Sequence, residues 1–213
     1  ANIAANGTGN PITITANSGT VLLGTVTAGA GTGSSAGNQI TINARAIDAT
    51  SITALNGGLL ANATAGPLKI DIGMVKTDAT LTSGGEILLD NLTAGGAITG
   101  TAATSITATT KIEAAGATML TASNGSITSP LVKGSTVSAT TTNGDVDVDA
   151  TMAASGVTLT ANTGNLQLGT VMTTSGPATL AANGTAPAAG NIRLDSLTAG
   201  DGGAIMWPML VGY

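Results

Sequence analysis

The sequence predicts an all-β fold, a parallel β-helix (β-solenoid) of about nine coils with roughly 20 residues each, and three observations carry that expectation. The stretch "LTANTGNLQLGTV" at 159–171 nearly repeats "ITANSGTVLLGTV" at 14–26. Aliphatic pairs that follow Gly-containing turns recur from Val21, Ile47, Ile70, Ile87, Ile106, Ile127, Val146, Leu166 and Ile192, in steps of 26, 23, 17, 19, 21, 19, 20 and 26 residues. With no Phe, one Trp and one Tyr, the interior must be filled by Ile, Val, Leu and Ala, which suits a thin core between close walls.

Taken in order, the elements fit one domain over residues 1–204. The opening "ANIAANGTGN" has neither an initiating Met nor the basic and apolar pattern of a signal peptide, and reads as a processed end. The fullest copy of the template runs Val157-Thr158-Leu159-Thr160-Ala161-Asn162-Thr163-Gly164, then Leu166-Gln167-Leu168-Gly169-Thr170-Val171. Strand alternation puts Val157, Leu159, Leu166 and Leu168 inside and Thr158, Thr160 and Gln167 outside. Related copies begin at Ile12, Ile40, Ala79 and Ala178, and "TAG" at 27–29, 93–95 and 198–200 marks a second kind of corner. Gly and Asn suit both corners because they accept the left-handed backbone that a sharp bend needs. Asn17, Asn162 and Asn183 share one template position and Asn124 and Asn143 the next. Stacked amides there can bond along a wall, although Asn is also simply a good turn former.

Two steps are stretched by Gly-, Ser-, Ala- and Pro-rich loop excursions, near 27–39 and 183–190, while residues 54–67 fit the template worst. No coil can bury its own inward side chains. Stacking pairs parallel strands about 4.8 Å apart, and each inward aliphatic then gains about 1.5–3 kcal/mol by leaving water. The carboxy-terminal segment 205–213 departs from this pattern. It is an apolar tail holding the only Trp and Tyr, either a cap over the last coil or a segment that docks on a neighbour. Trp207, Pro208, Met209, Leu210, Val211 and Tyr213 are therefore the candidate subunit contacts.

Charge narrows the partners. A net charge of −5 with only six Lys plus Arg offers no basic stripe for nucleic acid, and no apolar run approaches the length that spans a bilayer. The chain has no Cys and no His, and no Ser or Thr has a recognisable base partner, so neither an enzyme nor a cofactor is expected. Asp145, Asp147 and Asp149 at alternate positions would share one strand face, where Ca²⁺ is conceivable. The Gly-Gly-x-Gly-x-Asp repeat of calcium-binding rolls is missing, and a solvated acidic stripe is the preferred reading, with no metal site.

Residues 12–29, 79–96 and 157–176 carry the pattern φ-Thr-φ-Thr-Ala-x-x-Gly-x-φ-x-φ-x-x-φ-Thr-Ala-x-Gly. It resembles the β-helical repeats of filamentous-haemagglutinin-type bacterial exoproteins and adhesins. That resemblance implies a right-handed helix, extracellular display at the bacterial surface, and service as an adhesin shaft or matrix fibre. The expected function is a structural subunit of an extracellular filament or adhesin shaft, with head-to-tail association with its own copies as the expected partnership. The alternative is a monomeric surface-binding module for surface glycans or host protein. Ice ranks lower: Thr13/Thr15, Thr80/Thr82 and Thr158/Thr160 occupy matching outward positions, but Asn43, Met119, Ser138 and Ala181 interrupt the columns, and strand propensity alone favours outward Thr.

Overall fold

The computed structural model describes residues 1–5, 11–29, 39–184, 190–200 and, for the backbone, 205–206. Among these residues there is no helix, and the strands form one continuous parallel ladder wound into a β-solenoid of about eight turns. Nine anchor rungs bound eight steps, so the stack is about 38 Å tall at the usual spacing of parallel strands.

Each turn has three walls. The turn that starts at Ile87 shows them in their shortest form: Ile87 and Leu89 point inward from the first wall, Leu92 and Ala94 from the second, and Ile98, Gly100 and Ala102 from the third. The first two walls belong to a single strand, Ile87–Ala94. Two consecutive outward-turned residues, Asp90 and Asn91, reset the alternation at their junction, and a reset of this kind bends a strand without breaking its ladder. The third wall is the five-residue strand Ile98–Ala102, set off by bends on either side. In other turns the strand runs on through a corner, as in Ile127–Thr141 and Val146–Ala161.

The anchors expected from the sequence line the first wall, with one correction. Leu68, not Ile70, stands opposite Ile47 and Ile87, so the steps there are 21 and 19 residues. A slip of two residues leaves the same side chains pointing inward, and for that reason hydrophobic pattern alone does not detect it. The poorly fitting stretch 54–67 contains the third-wall strand Leu59–Ala63, paired with Ile40–Ala44 below and Ala79–Ser83 above. On either side of the expected excursions the ladder holds its register, Ile12 against Ile40 and Leu166 against Ile192. Most of 27–39 and 183–190 lies outside the described residues. Thr27 and Ala28 still belong to the strand Ile12–Ala28.

The core is packed by alternation of size. Along the middle of the third wall the inward residues run Ile42, Ala61, Leu81, Gly100, Leu120, Ala139, Leu159. The neighbouring column runs Leu59, Ala79, Ile98, Thr118, Val137. Wherever one column is small the other is large, so successive turns interdigitate as close packing requires. On the second wall Gly73 faces Leu92, whose side chain occupies the space a methyl group at Gly73 would take.

Two further inward columns, at the ends of the second and third walls, hold mostly Ala, with Ser83, Thr141 and Thr173 among them. Their hydroxyls serve the corners. Thr141 Oγ1 donates to Gly144 O and Thr173 Oγ1 to Gly176 O, both at 2.6 Å, while Ser83 Oγ lies 2.8 Å from Gly66 O and 2.9 Å from Glu86 O. Thr151 is different. Its hydroxyl is buried between Val132 and Val171 with no hydrogen-bond partner.

Glycine at the corners has another cause than the one expected. Among the described residues only Gly29 has positive φ, 86°, and no other residue type does. The corner glycines instead permit close approach of one turn to the next. A Cβ at Gly144 would meet the backbone of Gly125, one at Gly164 the backbone of Gly144, and one at Gly190 the carbonyl of Gly164. Gly19, at the same corner in the first described rung, has nothing within 4 Å of where its Cβ would stand.

Candidate functional site

Because the interior is filled, the candidate functional groups sit on the three outer faces, and the walls differ sharply. The first wall gathers charge. Its outward positions include Asp48, Lys69, Asp71, Asp90, Asp147, Asp149, Arg193 and Asp195. Lys69 Nζ lies 3.4 Å from Asp48 and 3.2 Å from Asp71, and those carboxylates raise its pKa, the hydrogen bond to Asp71 first. One turn on, the hydroxyls of Thr109 and Thr110 both donate to Asp90, holding its carboxyl below the usual range. Near the other end an open cavity of about 200 Å³ is lined by Asp147, Asp149, Gln167, Arg193 and Asp195.

The second wall carries an ion-pair trio. Glu113 accepts from Lys111 at 2.8 Å and from Lys133, one turn later, at 2.7 Å. These two bonds bring its pKa down from 4.5 to about 2, against a smaller opposing effect of desolvation. Two of the three, Glu113 and Lys133, border an open groove of about 600 Å³ that crosses several turns, with Thr93, Met152 and Met172 also on its walls. The cross-turn pairs were not read from the sequence. The available signal is an acid and a base at one template position about a turn apart, as in Asp48 with Lys69 and Glu113 with Lys133.

Among the described residues the third wall bears no charge. Over the nine rungs whose side chains are described, its 18 outward positions are Thr13/Thr15, Thr41/Asn43, Leu60/Asn62, Thr80/Thr82, Thr99/Thr101, Met119/Thr121, Ser138/Thr140, Thr158/Thr160 and Thr179/Ala181. Twelve are Thr, and one column is unbroken from Thr82 through Thr101, Thr121 and Thr140 to Thr160. The interruptions anticipated from the sequence, Asn43, Met119, Ser138 and Ala181, fall in these columns, and Leu60 and Asn62 join them.

The corner leading into the first wall holds a polar ladder. Asp145 N donates to Ser126 Oγ at 3.1 Å; Asn165 reaches Asp145 Oδ1 through its backbone N–H at 2.7 Å and its amide at 3.2 Å; Asn191 repeats the pattern on Asn165 Oδ1 at 3.0 and 3.4 Å. A second, shorter ladder joins Asn143 Nδ2 to Asn124 Oδ1 at 3.0 Å, the template pair expected to stack. Asp145 is thus spent on the corner, apart from Asp147 and Asp149 on the wall. Among the described residues no three His, Cys, Asp or Glu side chains converge as a metal site would need.

The candidate contacts Trp207, Pro208, Met209, Leu210, Val211 and Tyr213 lie outside the described residues. Just before them, the backbone of Ile205–Met206 pairs in parallel with Ala178 and Thr179, one rung beyond the third-wall strand Ala178–Ala182. No family model, no curated protein and no solved structure matches this chain.

Proposed function

We propose that the chain is a structural subunit of an extracellular bacterial filament or adhesin shaft, of the filamentous-haemagglutinin type that its repeats resemble. The observation that carries the reading is the continuous ladder of parallel strand pairing that links every turn from Ile12 to Ala199. A ladder of this kind has no natural stop: each rung is a template for the next. The terminal described rungs keep that capacity. Ile14 and Ala16 at one end, and Ile192, Leu194 and Leu197 at the other, are only half-buried, whereas the equivalent side chains of interior turns are buried. Further turns, in this chain or in a second copy, would complete their burial, and head-to-tail association gives a fibre.

Electron microscopy across a concentration series tests this reading. Fibres with a subunit rise on the order of the stack height, about 40 Å, are expected; uniform small particles at every concentration would overturn it. A second reading, a monomeric surface-binding module for glycan or host protein, draws on the Met- and Lys-bearing groove of the second wall. A persistent monomer that retains a soluble glycan or protein ligand would favour it.

A further inference from the structure

The third wall differs from the other two in four respects. It is uncharged at all 18 outward positions, on a chain whose first wall is lined with carboxylates. Thr takes two thirds of these positions, whereas the outward positions between the two inward residues of the first wall, from Leu22 to Arg193, include Thr only at 107 and 128. Strand propensity would enrich both walls alike, so it does not account for the difference. The register inside the third wall runs without a shift from Ile12 to Ala182, whereas the ladder slips between Leu89 and Asn91 and between Thr128 and Val132 on the other walls. Among the described residues, none of the twelve Thr hydroxyls on this face is hydrogen-bonded to another protein group.

Together these make a regular mesh. Hydroxyl and methyl groups repeat about every 4.8 Å from rung to rung and about 6.6 Å along each strand, over roughly 38 Å of stack. Each hydroxyl is both donor and acceptor, and all are free to engage what lies above. The chemistry excludes most partners. Nucleic acid needs cations, and protein hot spots are enriched in Trp, Tyr and Arg; among the described residues the face has none of these. Sugar rings are gripped by stacking on aromatic side chains, and none is present on this face among the described residues. What remains is a partner that is itself uncharged, flat, periodic and composed of groups that donate and accept hydrogen bonds.

We propose that the third wall binds the surface of ice crystals, whose lattice of water oxygens repeats on the same scale as the mesh. Thr82, Thr101, Thr121, Thr140 and Thr160 form the continuous column at its centre, flanked by Thr80, Thr99 and Thr158. The proposal rests on the fold alone and holds whether or not the chain polymerises.

The test is incorporation of the intact chain into slowly growing ice, together with the gap between melting and freezing points. Wild-type protein should be enriched in the ice fraction and open a measurable gap. Thr101→Lys and Thr121→Lys, both exposed at the centre of the mesh, should lose both effects while keeping the far-UV circular dichroism and melting temperature of the parent. Thr107→Lys, outward on the first wall, should retain them; Thr101→Tyr repeats the test without a charge. Exclusion of the wild-type chain from ice overturns the proposal, whatever the variants do. So does equal loss in Thr107→Lys, or adsorption to crystalline cellulose in place of ice.

Discussion

Replacing Gly164 by Ala tests why the corners are rich in glycine. The added Cβ would overlap the carbonyl group of Gly144 in the turn below, which is backbone and cannot rotate away. The upper corner must therefore lift. In doing so it strains Asn162 N→Thr141 O at 3.0 Å, Thr163 Oγ1→Thr142 O at 3.0 Å and Asn165 N→Asp145 Oδ1 at 2.7 Å. Losing two or three such bonds, each worth about 0.5–1.5 kcal/mol net, sets the expected cost at about 1–4.5 kcal/mol. Gly19→Ala is the matched control, because it sits at the same corner of the first described rung with open space around it. Neither glycine has positive φ, so Gly19→Ala should be neutral or stabilise by up to about 1 kcal/mol through the unfolded chain. Urea unfolding followed by far-UV circular dichroism measures both. Equal destabilisation by the two substitutions would refute close approach as the cause and restore the left-handed-backbone explanation.

Thr151→Val should raise stability by about 1–2 kcal/mol, because it removes a buried hydroxyl without a partner and leaves a methyl between Val132 and Val171; a lower urea midpoint would contradict this. Leu92→Ala should cost about 2–5 kcal/mol, and Gly73→Ala about 1–3 kcal/mol by overpacking. The double variant should cost less than the sum by about 1 kcal/mol or more, since one side chain fills the other's space; strict additivity in unfolding experiments would sink the packing argument. Glu113 ionises near pH 2 in the folded chain against about 4.5 unfolded, so its stabilisation is fully present above pH 4.5 and lost as pH falls toward 2. The amount is modest, about 0.5–1 kcal/mol for so accessible a trio, and Glu113→Gln should remove that part of the acid-limb slope in a melting series. Deleting residues 205–213 separates the two roles of the tail: a folded chain that no longer assembles supports docking, and an unfolded one supports a cap.

The solenoid was legible because its physics writes a pattern: each turn must offer inward aliphatics at fixed phase, and Val21, Ile47, Ile87 and the later anchors obey it. Register was less legible. Ile70 and Leu68 are equivalent to any argument from faces, and only the cross-turn ladder separates them. The three-walled section was hidden for a related reason, since the first two walls share one strand and their junction costs only two consecutive outward residues such as Asp90 and Asn91. Gly164 and its stacked counterparts were misread because both causes of a recurring corner glycine, φ and crowding, select the same residue type. Glu113 with Lys133 and the ladder from Ser126 to Asn191 depend on neighbours a turn away, which become visible only after register is known. The Thr columns illustrate the same point: three pairs were evident in sequence, and register joined them to Thr99, Thr101, Thr121 and Thr140.

The stack itself is most directly tested by spin-label distances along the third wall. The chain has no Cys, so single pairs are introduced cleanly at outward positions: Thr160→Cys combined in turn with Thr82→Cys, Asn62→Cys and Asn43→Cys. These partners lie four, five and six rungs away. Pulsed electron resonance should give narrow distributions whose centres increase by about 4.8 Å per rung, near 19, 24 and 29 Å between backbones. Broad distributions, or centres that do not rise in equal steps, would contradict the wound ladder on which every other statement depends.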